Sequence, residues 1–420
     1  MRVAPIILAV LLAWVAVAGV AHAQSGPGRP DVRARSAIVM EASTGHVAFR
    51  RKIRVERPIA STTKLMTALV ALERSDLDDV LSATDYDALA IESQIGLREG
   101  ERMSVRDLLR ALLLESANDA AVTLAVGTMG SRQAFVREMN RRAQQLSLDH
   151  TSFANPVGLD EAGNHSSAED LVRLAVILRR NDFFRETVDL PRATLRTGAR
   201  RRTVVNRNAL VRREGFVDGV KTGRTNQAGY VLVGSATRDG VTVVSAVLGS
   251  PTESARDQDT LALLRYGLSR YRTSTPLPEG RVMGEIDLRY RDGETVEVIA
   301  GRTVNRVVRR GERAGVTVTG VPEEVDGPLP RGSRVGTAIV RHRDEVIARV
   351  PLVTARAVAE AGLGTRLDDL VRRPLTVIAL CLLLACSLPL VILRRRAMRR
   401  REAQDAERTG TPSREETPVA

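Results

Sequence analysis

Cysteine is nearly absent from this chain of 420 residues. The two cysteines, Cys381 and Cys386, both lie inside an uncharged apolar run at residues 374–393. No cysteine pair remains to cross-link the rest of the chain, so disulfide bonds do not hold it together. Its length allows two or three domains, each of which must be stabilised by its own apolar core.

Aromatic residues and histidine are also scarce. Aromatics make up only 3% of the chain, which is poor for the stacking on bases that single-strand binding proteins use. The five histidines are not spaced as a metal-binding pair, which argues against a zinc peptidase. The net charge of +13 is therefore attributed to anionic lipid and other anionic polymer nearby, or to an arginine-rich composition, and not to nucleic acid.

Lysine is scarce among the 63 basic residues, occurring only as Lys52, Lys64 and Lys221. Arginine does not lose its proton in a protein, so it cannot replace a lysine that acts as a base. Lys52 fits an exposed loop, whereas Lys64 and Lys221 both fall in short motifs. Their retention indicates that a lysine is chemically required at these two positions.

Two apolar segments predict export and membrane anchoring. Residues 5–20 are almost wholly apolar, and residues 21–23 have the small-x-small pattern of a signal-peptidase site, although an uncleaved anchor is the alternative. Residues 374–393 are about long enough to cross a bilayer, a buried helix being the alternative. Six arginines follow within eight residues, so the positive-inside rule predicts a cytoplasmic tail and an extracytoplasmic main body.

Between these two segments the sequence pattern changes once, from mixed helix and strand patterns to strand patterns alone. Strand patterns at residues 36–50 and 229–248 enclose helical patterns, including one over 105–126, which predicts an antiparallel sheet packed with helices. Short alternating stretches then predict a small all-β domain. The predicted segments are a signal peptide (1–23), a linker (24–34), a mixed α/β domain (35–272), a β-rich domain (276–353), an amphipathic helix (354–373), a transmembrane helix (374–393) and a cytoplasmic tail (394–420).

Ser61-Thr62-Thr63-Lys64 comes at the start of a predicted helix. Residues three apart share a helix face, so the Ser61 hydroxyl and the Lys64 amine can meet. The positive end of the helix dipole favours a neutral lysine, which can accept the serine proton. A serine that only caps the helix is the simpler alternative.

Two further tripeptides complete a set. Ser116-Ala117-Asn118 offers a hydroxyl to relay protons and an amide to orient Lys64. Lys221-Thr222-Gly223 offers charge and a hydroxyl to a carboxylate, on a strand edge that an extended peptide can pair with. Each tripeptide alone is consistent with an exposed helix face or a turn. In this order, however, the three motifs match the Ser-x-x-Lys, Ser-Asp-Asn and Lys-Thr-Gly set, with Ala117 at the centre of the second.

On these motifs the chain resembles the low-molecular-mass penicillin-binding proteins, the serine D-alanyl-D-alanine carboxypeptidases. Residues 96–101, 118–121, 153–160 and 167–171 also look like the family. The resemblance implies a penicillin-binding-protein/β-lactamase-like α/β domain with a small β domain before a membrane anchor. It also implies peptidoglycan stem peptides as substrate, β-lactam antibiotics as inhibitors, and no cofactor.

The resemblance further implies a role for each motif residue. Ser61 would be acylated by the penultimate D-Ala, with Lys64 as base and Ser116 and Asn118 assisting. The backbone N–H groups of Ser61 and Arg224 would form the oxyanion hole. The residues implied to bind the terminal carboxylate and the peptide are Lys221, Thr222, Gly223, Arg224 and Arg256.

Three other functions remain open. A class A β-lactamase uses a glutamate in a Glu-x-x-Leu-Asn pattern, which does not occur between Asn118 and Lys221. A D,D-endopeptidase that cuts cross-links shares all three motifs with a carboxypeptidase. A non-enzymatic wall-binding scaffold predicts decayed motifs, whereas all three are intact.

Overall fold

The computed structural model describes residues 28–89, 91–372 and 374–408. The predicted signal peptide and the end of the predicted cytoplasmic tail lie outside these ranges. The chain forms two compact units. The first ends at Ser274 and also includes Val307–Glu312, whereas the second comprises Thr275–Arg306 and continues from Arg313.

A five-stranded antiparallel sheet forms the centre of the first unit, in the order β2-β1-β9-β8-β7. The turn between β8 and β9 has positive φ at both Asp239 and Gly240, the conformation that two-residue hairpin loops favour. Strands from both ends of the first unit are therefore neighbours, as the sequence predicts. The strands are β1 (Ser36–Glu41), β2 (Val47–Arg51), β7 (Val217–Thr225), β8 (Gly229–Arg238) and β9 (Val241–Ser250).

Helices and two short hairpins complete the first unit. The hairpins pair β3 (Val80–Ser82) with β4 (Arg102–Ser104), and β5 (Arg192–Leu195) with β6 (Arg202–Val205). The helices are α1 (Lys64–Arg74), α2 (Val105–Arg110), α3 (Asn118–Met129), α4 (Arg132–Gln145), α5 (Ala168–Leu178), α6 (Asp182–Asp189), α7 (Ala209–Arg213) and α8 (Glu253–Arg270). Their side chains pack with the sheet in two apolar cores, one that includes residues of α1 to α6 and a second that includes residues of α7 and α8, so the helices are fixed by burial.

The continuous helix predicted over residues 105–126 is wrong. After α2 the chain widens into a π-helical turn, Ala111–Glu115, and Ser116 then takes a left-handed conformation with φ of 64°. Helix α3 begins only at Asn118. The apolar pattern continues across this break because residues on both sides are buried in the same core. The Ser116 motif therefore lies at a junction between helices.

The second unit contains a six-stranded sheet in the order β14-β16-β17-β12-β11-β15. Its apolar side chains, such as Ile286, Val298 and Leu352, form a separate core, which confirms the small all-β domain. The chain passes between the units along β10 (Tyr271–Leu277) and β13 (Val304–Arg309), which pair with each other. The other strands are β11 (Val282–Leu288), β12 (Thr295–Ala300), β14 (Gly315–Thr319), β15 (Glu324–Val325), β16 (Arg334–His342) and β17 (Glu345–Thr354).

Two helices end the described chain. Helix α9 (Leu363–Arg372) is shorter than the predicted helix over 354–373, because β17 continues to Thr354 and Val358 pairs with Leu329. Helix α10 (Pro374–Arg408) contains a stretch, Val377–Glu402, that is long and apolar enough to cross a membrane.

Candidate active site

Ser61 lies on a short 3₁₀ turn, Ala60–Thr63, that leads directly into α1. We call this segment the Ser61 turn. Ser61 borders a cleft of about 640 Å³ in the first unit. A Cβ added to Gly223 on β7 would lie 3.0 Å from the Ser61 nitrogen, so glycine lets the strand approach the turn closely.

Lys64 is completely buried, and its Nζ contacts three oxygen atoms. Asn118 Oδ1 and the Val157 carbonyl oxygen are both 2.6 Å away, and Ser61 Oγ is 3.2 Å away. A neutral amine has two hydrogens and one lone pair. The two nearer oxygens can only accept, so they take the hydrogens and leave the lone pair for the Ser61 hydroxyl.

The surroundings of Lys64 favour that neutral form. Burial, followed by the positive charge of Lys221, lowers the pKa of Lys64 well below its ordinary value. The carboxylates of Glu92 and Asp119 act in the opposite direction and raise this pKa. The lowering effects are larger, so the site is suited to hold a lysine that accepts a proton.

The other end of the Asn118 amide is held by Glu92, which also bonds to Tyr86. Its Nδ2 donates to Glu92 Oε2 at 2.6 Å, and the Tyr86 hydroxyl donates to the same oxygen. Burial would raise the pKa of Glu92, but the hydrogen bonds from Tyr86 and Asn118 lower it overall. Glu92 is therefore an ionised carboxylate at neutral pH, on the wall of the cleft.

Ser116 also borders the cleft, and only 5% of the residue is exposed. Within the described part of the chain its Oγ is enclosed and has no hydrogen-bond partner. Enclosed hydroxyls without partners are uncommon in native structures, and those that occur call for an explanation. A hydroxyl in this position is free to bond to a molecule that enters the cleft.

The third motif lies on β7, which is an edge strand of the sheet. Thr222 and Gly223 line the cleft, whereas Lys221 is 1% exposed and donates to the Thr222 carbonyl oxygen at 3.0 Å. Burial, with the charges of Arg207 and Arg256, lowers the pKa of Lys221 to about 7.

Three arginines line the cleft as well. Arg256 forms ion pairs with Glu253 and Asp257, at 2.9 and 2.7 Å. Arg207 forms an ion pair with Glu115, and the exposed guanidinium of Arg224 lies over the Tyr230 ring. Carboxylates therefore balance Arg207 and Arg256, whereas the guanidinium of Arg224 on β7 is exposed and is placed to attract an anionic ligand.

Comparisons with known proteins show the family of the chain. A model of the D-alanyl-D-alanine carboxypeptidase family matches residues 22–252, more than half of the chain. The chain belongs to that family. A model of the penicillin-binding protein 5 C-terminal domain matches residues 271–360.

Curated relatives and solved structures extend the match. D-alanyl-D-alanine carboxypeptidase DacF of Bacillus subtilis is 29% identical over 79% of this chain and 87% of its own length. DacD of Escherichia coli is 33% identical over 82% of this chain and 91% of its own length. The structure of penicillin binding protein 5 from Haemophilus influenzae is 27% identical, with a TM-score of 0.58 over 80% of this chain and 100% of that one.

All nine residues singled out from the sequence of this family member lie in or beside the cleft. Ser61, Ser116, Asn118, Thr222, Gly223, Arg224 and Arg256 line it, whereas Lys64 and Lys221 lie buried behind its wall. The sequence reasoning missed Glu92, Tyr86 and Arg207, which carry no motif. It also missed the Val157 carbonyl, a main-chain atom, although residues 153–160 were recognised as resembling the family.

Proposed function

We propose that this chain is a serine D-alanyl-D-alanine carboxypeptidase that removes the terminal D-Ala from peptidoglycan pentapeptide stems. The observation that carries the assignment is the environment of Lys64. A buried amine whose two hydrogens are directed to Asn118 and Val157 presents its lone pair to Ser61 Oγ. The family membership supports the substrate class.

In the first half-reaction, Ser61 Oγ attacks the carbonyl carbon of the penultimate D-Ala and passes its proton to Lys64 Nζ. The backbone N–H groups of Ser61 and Arg224 stabilise the oxyanion, an assignment supported by the close approach of Gly223 to the Ser61 nitrogen. The proton then moves from Lys64 through Ser116 to the leaving nitrogen. The C–N bond breaks, terminal D-Ala departs, and the peptide remains as an ester on Ser61.

In the second half-reaction a water molecule attacks the ester carbonyl and gives its proton to Lys64. The ester bond breaks, Ser61 Oγ takes that proton back, and the shortened stem leaves with a free carboxylate. Lys221, Thr222 and Arg256 bind the terminal carboxylate of the incoming peptide. The unpaired edge of β7 pairs with its extended backbone, because an edge strand offers free N–H and C=O groups.

Labelled penicillin tests the acyl-enzyme, since its strained amide mimics the D-Ala-D-Ala bond. Mass spectrometry should place the adduct on Ser61, and an adduct on another residue would refute the assignment. Release of D-Ala from a pentapeptide should exceed cleavage of a cross-linked dimer. The opposite order would favour the D,D-endopeptidase.

We further propose that α10 anchors the enzyme in the membrane, with the catalytic unit outside and the C-terminus in the cytoplasm. The apolar stretch in α10 and the six arginines at 394–401 support this orientation. A chain that ends after Thr365 should be soluble and still release D-Ala from a small peptide. Loss of activity in that folded chain would contradict a purely tethering role.

A further inference from the structure

Glu92 is a carboxylate on the cleft wall that belongs to none of the three motifs. Its Oε2 accepts hydrogen bonds from Asn118 Nδ2 and from the Tyr86 hydroxyl. Among the residues that the structure describes, its Oε1 accepts one hydrogen bond, a long one of 3.3 Å from the Leu89 nitrogen. The oxygen nearest the catalytic groups is thus already occupied, so Glu92 is placed to hold its neighbours and not to activate water.

The contact between Glu92 and Asn118 determines which way the Asn118 amide faces. An ionised carboxylate can only accept hydrogen bonds, whereas the two ends of an amide differ, one donating and the other accepting. The NH₂ end must therefore face Glu92. The oxygen end then faces Lys64, where Oδ1 lies 2.6 Å from Nζ.

We propose that Glu92 is a positioning residue, which fixes the Asn118 amide and thereby aims the lone pair of Lys64 at Ser61. The proposal rests on the proposed function, in which Lys64 is the base. The Tyr86 hydroxyl assists by holding the same carboxylate oxygen. If the amide turned round, its NH₂ group would point at Lys64, and one amine hydrogen would lose its acceptor.

Glu92 also acts on Lys64 through its charge. The charged groups that influence Lys64 are Lys221, which lowers its pKa, and Glu92 and Asp119, which raise it. Asp119 is held by the backbone N–H groups of Ile95 and Leu97. Glu92 therefore orients the base while making it slightly harder to deprotonate, and these two effects can be measured separately.

Glu92→Gln tests the orienting effect and the charge effect, because it keeps the shape of the side chain and removes its charge. A glutamine can donate or accept toward Asn118, so the amide orientation is no longer imposed. The rate of acylation by labelled penicillin at the alkaline plateau should fall roughly tenfold, the effect of one misdirected hydrogen bond. The acid limb of the pH profile should move to lower pH by roughly half a unit or more, because a negative charge has left the surroundings of Lys64.

Glu99→Gln is the matched control, since Glu99 is an exposed carboxylate in the same stretch of chain. It should change neither the plateau nor the acid limb. Tyr86→Phe keeps the Glu92 charge, so it should lower the plateau by less than Glu92→Gln and leave the acid limb within about 0.2 units. Thermal melting of each variant checks folding.

Two results would overturn the proposal. A lower plateau with an unmoved acid limb would mean that Glu92 only supports the local fold, and an unchanged plateau would mean that it does not orient Asn118. Either result would leave the proposed function intact, provided that the parent is acylated on Ser61. If the parent itself were not acylated there, the proposed function would fail first.

Discussion

Gly158 packs against the main chain of the Ser61 turn, and alanine should not fit there. Gly158 has φ of +91°, and an added Cβ would lie 2.1 Å from the Ala60 carbonyl oxygen and 2.9 Å from the Ser61 nitrogen. Its own nitrogen donates to Asn155 Oδ1 at 2.7 Å. Neither side of the contact is a flexible side chain, so the backbone must move in Gly158→Ala.

The size of that movement follows from the contact. Real Cβ contacts are essentially never shorter than 3.0 Å, so the atoms must separate by about 0.9 Å, from 2.1 to 3.0 Å. A misplacement of about 1 Å at a catalytic group reduces the rate by about 10²-fold. Either the Ser61 turn or the segment around Gly158 must move. Both movements affect the site, because the turn carries Ser61 and the other segment carries the Val157 carbonyl that binds Lys64.

Gly163→Ala is the matched control in the same loop. Gly163 has a similar φ of +85°, but no atom lies within 4 Å of an added Cβ. Each variant should lose about 1–2 kcal/mol of stability from the left-handed backbone, and Gly158→Ala should lose more because of the clash. Only Gly158→Ala should lose acylation by labelled penicillin. A folded Gly158→Ala protein that acylates at the parent rate would refute this account of the turn.

Two other predictions concern the motif lysines and a buried ion pair. Lys64→Arg should reduce the rate of acylation at least ~10²-fold, because arginine cannot act as a base. Lys221→Arg should reduce it less, because arginine keeps the positive charge. Equal losses in the two folded variants would contradict this division of roles. The hydrogen bonds from Arg202, together with those from the Ala199 and Arg98 nitrogens, lower the pKa of Glu101 from 4.5 to about 2. This carboxylate therefore adds roughly 3 kcal/mol of stability above pH 4.5, which is lost as the pH falls towards 2. In Glu101→Gln the acid loss of stability, followed by denaturant unfolding, should be smaller by that amount, and an unchanged pH dependence would show that the pair does not have this effect.

The sequence was sufficient to predict features that depend on the identity of a side chain or on a local pattern. Ser61 and Lys64, the proposed nucleophile and base, could be predicted as a pair because only certain residue types can take these roles, and their spacing places Nζ 3.2 Å from Oγ. The strands at both ends of the first unit could be predicted because alternation and the Asp239-Gly240 turn are local signals. Long-range pairing of β1 with β9 then follows from burying both apolar faces.

The sequence was insufficient where function depends on main-chain atoms or on a conformation without a marker. Every residue has a main-chain carbonyl, so the residue type at position 157 does not identify Val157 as a hydrogen-bond acceptor for Lys64. The left-handed turn at Ser116 has neither glycine nor proline to signal it, and the apolar pattern continues on both sides. Glu92 reaches Asn118 across 26 positions, a contact that a single sequence does not encode as a pattern.

The burial of Lys64 and Lys221 has a practical consequence for handling the protein. Among the three lysines only Lys52 is exposed, on the turn after β2. An amine-reactive dye or surface linker will therefore find one accessible lysine side chain. Because Lys52 does not border the cleft, a molecule attached through it keeps the cleft open. Lys52 is thus a natural lysine through which the enzyme can be labelled or immobilised away from the cleft.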